Sequence, residues 1–139
     1  MGSTATASHS TGDAPNMIEG DHSFSNGKRW RTNSFPSWVE IDFGQSRNIA
    51  VIHVVGQQDS GNVTPAAGMT GKFALSKMNI SYWDGTEWKE LKTVTGNDKI
   101  LYQLKREETV TTSRIRVDFS EKICDGWARI VEVEAWRDE

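Results

Sequence analysis

The side chains with catalytic potential are few and lie far apart. Cys124 is the single cysteine and has no neighbouring histidine, and His9, His22 and His53 stand at no metal-ligand spacing. Neither an activated thiolate nor a Cys/His zinc site is therefore expected. Glu132 and Glu134 project to one side of a strand, with Cα atoms about 7 Å apart, a spacing as common on plain sheet surfaces as in acid–base sites. Gly68-Met69-Thr70-Gly71-Lys72 lacks the spacer and the following Ser or Thr of a phosphate loop. No catalytic constellation is left, and the chain reads as a non-enzyme. Groups suited to recognition are more plentiful. Between Glu19 and Ser37 stand Phe24, Asn26, Arg29, Arg31, Asn33 and Phe35; between Gln57 and Lys77 stand Gln57, Gln58, Asp59 and Asn62; Asp125 and Trp127 precede the last apolar segment. Both long segments exceed the roughly 12 to 15 residues beyond which a loop in a compact domain is usually functional or disordered. Phe24, Phe35 and Trp127 sit among polar residues, where a ring serves better as a contact platform than as core.

The elements that must position these groups fit one domain, because 139 residues fall within the roughly 100 to 200 expected of a single unit. Hydrophobic residues make up 36% of the chain, enough for one core without a disulfide, which a single cysteine cannot form. Sixteen basic and nineteen acidic side chains leave −3, so no global attraction draws the chain to nucleic acid or to an anionic membrane. The pairs Phe24 with Lys28 and Arg29, and Met69 with Lys72 and Phe73, are poor lipid anchors against that balance. The apolar run Ile49–Val55 is far short of the roughly 20 residues that span a bilayer. Met1 to Asp13 has no charged and apolar leader pattern, so the chain is read as intracellular or as a piece of a longer polypeptide.

Period-two patterning dominates. Val39, Ile41 and Phe43 alternate with Glu40 and Asp42 up to Gly44, expected to end that strand; Ile49–Val55 is apolar on both alternations, as in a strand covered on both faces, with His53 inside it. Met78, Ile80 and Tyr82 lead into Asp84-Gly85, a hairpin signal, with Trp88 and Leu91 on the return; Lys99–Leu104 and Ile115–Phe119 follow. Ala128–Trp136 puts Val131, Val133 and Ala135 on one side and Glu132 and Glu134 on the other. No three-turn helical period occurs, so seven or eight short strands predict an all-β sandwich or jelly roll.

Six segments in register carry a family likeness. They are Ala5-Thr6-Ala7-Ser8; Ile18-Glu19-Gly20-Asp21 with Trp30; Pro36 through Gly44; Tyr82-Trp83-Asp84-Gly85-Thr86-Glu87-Trp88; Thr112 through Val117; and Ala128 through Trp136. The chain resembles the F5/8 type C, or discoidin, domain of the galactose-binding-like family, in particular the bacterial carbohydrate-binding modules that lack the terminal disulfide. The resemblance implies a jelly-roll β-sandwich of about eight antiparallel strands over 14–139, with 1–13 as a flexible segment or a first edge strand. It implies ligand-binding loops at one end and no catalysis. It also implies that Trp30, Trp38 and Trp88 belong to the core.

The same resemblance implies a structural calcium ion, carried over to the carbonyl of Asn16, Glu19, Asp21 and Glu132. Three carboxylates and carbonyls suit an ion that takes six to eight oxygens. Glu19 stands where Asp is usual, and Lys28 occupies a hydroxyl-ligand position; Ser25 is the alternative ligand, and Lys28 or Arg29 the alternative means of neutralising the carboxylates. The expected partner is a glycan, galactose-type in the simplest case, which needs a ring face and a few fixed hydrogen-bonding groups. The residues assigned to it are Phe24, Arg29, Arg31, Asn33, Gln57, Asp59 and Trp127. The alternative is a protein–protein or assembly domain of the same fold. Either role places the module in a larger extracellular or cell-surface polypeptide or in a phage virion.

Overall fold

The computed structural model describes residues 3–20, 28–58, 64–120 and 126–137. Its strands are β1 (Thr4–Ala7), β2 (Trp30–Thr32), β3 (Ser37–Gly56), β4 (Met78–Trp83), β5 (Trp88–Val94), β6 (Leu101–Phe119) and β7 (Ala128–Trp136), with a 3-10 segment at Thr11–Ile18. Hydrogen bonding runs β2-β7-β3-β6-β4-β5, with β1 also on β3. All pairings are antiparallel.

Two long strands turn this continuous ladder into a sandwich. The first half of β3 pairs with β1 and with the last part of β6, which continues to β4 and β5; its second half pairs with β7 and with the start of β6. Each long strand thus serves both layers, and counting its halves separately gives the expected jelly roll. The expectation that Gly44 ends a strand is corrected. β3 bends there instead, with the β3–β6 register breaking between Asp42 and Arg47 and again between Ile49 and Val51. Gly44 takes φ 76°, a conformation that favours glycine, and the Asp42 carboxylate accepts its N–H at 2.8 Å. The predicted strands Lys99–Leu104 and Ile115–Phe119 are likewise one bent β6.

Between the layers lie Trp30, Ile41, Phe43, Ile49, Ile52, Val54, Leu75, Ile80, Ile115 and Phe119, all buried. Trp30 is fully buried, stacks on Phe119 at 6.2 Å, and donates its indole N–H to the His9 carbonyl at 2.8 Å. Trp38 and Trp88 are not in this core. Both are half-buried on the outer face, where guanidinium groups interleave with them. Arg116 lies 4.4 Å from Trp38 and 4.5 Å from Trp88, and Arg114 lies 4.6 Å from Trp83. The Glu40 carboxylate accepts from Arg116 at 3.0 Å and from Arg114 at 3.5 Å. Alternation along β3 and β6 makes this outcome, since Trp38 and Glu40 face away from Val39 and Ile41. His53, expected to be buried, is half-buried and packs edge-on against Trp136 at 4.6 Å. The hairpin after Trp83 is present, but with a four-residue turn in which Asp84 accepts the N–H groups of Thr86 and Glu87, each at 2.8 Å.

Removing Trp30 leaves a large cavity, so Trp30→Ala is expected to cost about 3–5 kcal/mol. Trp30→Phe, which keeps a ring and loses the hydrogen bond, costs less, and denaturant titration of the two variants gives the order. Asp118 is half-buried, and burial holds its carboxyl above the usual carboxylate range, with Arg116 opposing and Glu40 reinforcing the shift. The folded state therefore keeps this proton to higher pH than the unfolded state does, and stability falls as pH rises from about 4 through the folded value. Asp118→Asn is expected to remove that fall, read as the difference between melting midpoints at pH 4 and pH 7.

Candidate functional site

The antiparallel pairing of β2 with β7 places Arg31 opposite Arg129 and Trp30 opposite Ile130. Because side chains alternate, Trp30 enters the core while Arg31 and Arg129 share the other face. Trp127, one residue before β7 and directly after Gly126 (φ 96°), lies between them. The Arg31 guanidinium stands 4.8 Å from the centre of its ring and that of Arg129 5.9 Å. Arg129 is only 8% exposed and also stands 4.3 Å from the Phe73 ring, which Lys72 approaches at 5.2 Å. Backbone bonds hold Phe73 there: the segment before it is tied to the start of β6 by Ile100 N–H to Met69 carbonyl (2.9 Å) and Gly71 N–H to Asp98 carbonyl (3.2 Å). One end of the sandwich thus carries a row of alternating cations and rings: Lys72, Phe73, Arg129, Trp127, Arg31.

Arg29 extends the row. It is half-buried beside a pocket of about 240 Å³ lined by Asp13, Asn16, Lys28, Arg29 and Arg31. Its backbone carbonyl accepts the Asn16 amide at 3.0 Å. Burial holds its guanidinium below the usual arginine range, and Arg31 and Arg129 push the same way, with Asp13 opposing. Three guanidinium groups are therefore close enough to feel one another. Asn33 is exposed just beyond β2, whose last residue Thr32 pairs with Ala128, so it stands level with Trp127. Gln57 continues β3 past Gly56, the partner of Ile130, and its amide oxygen is buried without a hydrogen-bond partner among the described residues. Arg29, Arg31, Asn33, Gln57 and Trp127 thus belong to one end of the molecule. Phe24 and Asp59 lie outside the described residues. Reasoning from sequence passed over Arg129 as a strand residue and Phe73 as a lipid spike; the Trp127-x-Arg129 alternation was the available signal.

The residues assigned to calcium lie round the corner. Glu132 is 3% exposed, and both of its carboxylate oxygens accept the Gly20 N–H at 3.1 Å. The expectation that Glu132 shows on the surface is corrected. The β3–β7 register breaks between Val55 and Gly56, sending Val131 to a small separate cluster with Val55, Ala74 and Ile100 and turning Glu132 inward. Glu19 pairs with Lys28 at 3.2 Å, so this lysine does act on one of the carboxylates. Asp21 lies outside the described residues, among which no group of three or more His, Cys, Asp or Glu is placed to hold a metal.

A family model of F5/F8 type C domains, described as the NedA-like galactose-binding domain, matches residues 16–117. The chain belongs to the F5/F8 type C family. Solved structures share this F5/F8 type C fold. The family 32 carbohydrate-binding module of Clostridium perfringens NanJ, in complex with galactose, superposes with a TM-score of 0.72 at 17% identity, over 96% of this chain and 92% of that one. A Streptococcus pneumoniae fucose-binding module gives 0.71 at 20% identity, over 97% and 91%. The family 32 module of AlyQ in complex with 4,5-unsaturated mannuronic acid gives 0.70 at 19% identity, over 97% and 95%. Among curated proteins none matches the chain.

The Glu132 carboxylate ties the turn at Gly20 to β7, so Glu132→Ala is expected to lower stability by about 2 kcal/mol, in the range for a hydrogen bond to a charged acceptor. Equilibrium denaturation of the purified domain measures it.

Proposed function

We propose that this F5/F8 type C domain is a non-catalytic carbohydrate-binding module that holds a larger secreted, surface or phage polypeptide at glycans. The observation that carries the reading is the convergence, at one end of the sandwich, of Trp127 and Phe73 with the hydrogen-bonding groups of Arg31 and Arg129. A sugar needs that combination: flat apolar contact for its C–H faces and fixed donors for its hydroxyls. The ligands named for the structural neighbours, namely galactose, fucose and an unsaturated mannuronic acid, support it. The mechanism is attachment. A weak module linked to an enzyme or adhesin raises its effective concentration at a glycan-bearing surface, and several such modules multiply the effect.

Calcium belongs to the same proposal. Glu132 supplies a buried carboxylate beside Gly20, with Glu19 adjacent in the same cavity wall, and these residues, with Asp21 and the carbonyl of Asn16, would hold the ion. All are oxygen donors, as calcium requires; the Lys28 ammonium on Glu19 would have to yield its place. The ion would fasten the segment carrying Lys28 and Arg29 to β7 and so fix the binding end.

Isothermal titration against a panel of glycans is expected to find binding near millimolar strength that Trp127→Ala abolishes while the melting midpoint is kept. No sugar bound at millimolar concentration, with a protein partner recovered instead, would sink the carbohydrate reading. Excess calcium is expected to raise the melting midpoint by several degrees relative to EDTA, since an ion bound only by the folded state stabilises it. An unchanged midpoint removes calcium from the domain.

A further inference from the structure

We infer that the β3–β6–β4–β5 layer carries a second sugar site, a pocket around Asp118 that takes one neutral sugar unit through its ring hydroxyls. It stands apart from the Trp127 row, and only the choice of ligand class rests on the carbohydrate reading above. Register puts its groups together. Trp38 pairs with Asp118, Asp118 with Asn79, and Asn79 with Thr93, so four side chains form one row across strands about 4.8 Å apart. Their chain neighbours Val39, Val117 and Ile80 fill the core, so the row faces outward. At Asp118, Asn79 and Thr93 lies a cavity of about 180 Å³, lined also by Thr95, Ser120 and Lys77 where the strands end. Met78 and Val94, both buried, supply its apolar wall.

The lining fits a polyol. A sugar unit presents hydroxyls that donate and accept, with C–H patches between them; the pocket offers a carboxylate that accepts, an amide and hydroxyls that do both, and an apolar wall. Thr93 already donates its hydroxyl to Glu90 at 2.6 Å, which leaves it as an acceptor here. Neither the Asp118 carboxylate nor the Asn79 amide is hydrogen-bonded to another described residue. Burial holds the Asp118 carboxyl above the usual carboxylate range, with Arg116 opposing and Glu40 reinforcing the shift. Withdrawing a carboxylate from water without a donor is costly, and two ring hydroxyls return the hydrogen bonds that burial removes. Size selects a single unit, since the cavity is smaller than the roughly 300–1,000 Å³ of a site for a drug-sized ligand. Charge selects a neutral one: Asp118 disfavours a uronate or sialate, and the Lys77 ammonium in the lining disfavours an amino sugar. One unit in a small pocket buries little area, so its affinity is expected to lie at least about tenfold below that of the Trp127 end.

The test is an amide-resolved NMR titration of the full chain with the methyl glycosides of galactose, fucose and mannose. At least one of them is expected to move the amides of Asn79, Thr93 and Asp118 along a saturating curve, in the unsubstituted chain and in Trp127→Ala alike. Asp118→Asn keeps the size and removes the charge, and should weaken that curve by about fivefold or more, because hydrogen bonds to an ionised acceptor are roughly twice as strong as neutral ones. Asn79→Ala should weaken it too, with the remaining spectrum unchanged in both variants. Galacturonate and galactosamine should each move these amides less than galactose. No saturating shift at these positions, while the amides round Trp127 respond, overturns the pocket and leaves the carbohydrate reading intact. Shifts here that vanish in Trp127→Ala overturn its independence, and shifts untouched by Asp118→Asn overturn the role of that carboxylate. Tighter binding of galactosamine or galacturonate overturns the choice of a neutral unit. Silence at both places overturns both readings.

Discussion

The structure depends on two strands that bend. β3 and β6 each belong to both layers, and the breaks in their register near Gly44 and Ala50 let one hydrogen-bonded ladder fold back over its own apolar face. A flat strand of twenty residues would bury nothing on one side. Bulges add local twist and turn the strand, so Ile41 and Phe43 before the bend meet the same core as Ile49 and Ile52 after it. No disulfide is needed, because β3–β6 pairing resumes beyond each break in register and the core is sealed by Trp30 on Phe119.

The same alternation that fills the core sets the outer faces. On one layer, Trp38, Trp83 and Trp88 are capped by Arg114 and Arg116, which Glu40 in turn holds. The guanidinium planes cover rings that would otherwise form an exposed apolar patch. On the other layer, at the β2–β7 edge, Arg31 and Arg129 approach the Trp127 ring in a comparable row of rings and cations.

The link between the 3-10 segment and the rest of the domain is short. Gly20 bonds to Glu132 on β7, and Asn16 bonds to the carbonyl of Arg29. The 3-10 segment therefore ties the residues on either side of the first loop to the sandwich.

The sequence by itself determined the β class, the positions of the alternating strands and the family, because each rests on local period or on residues in order along the chain. Ile49–Val55 was legible as a strand covered on both faces for that reason. It did not determine that Gly44 bends a strand instead of ending it, that Trp38 and Trp88 lie outside the core, or that Glu132 turns inward. Each of those depends on register across strands distant in the chain, and a shift of one residue reverses which face a side chain takes. The net charge of −3 is a sum over the chain and carries no positions. Only the tertiary structure brought Arg31, Phe73 and Arg129 together round Trp127, because strand pairing joins positions that lie far apart along the chain.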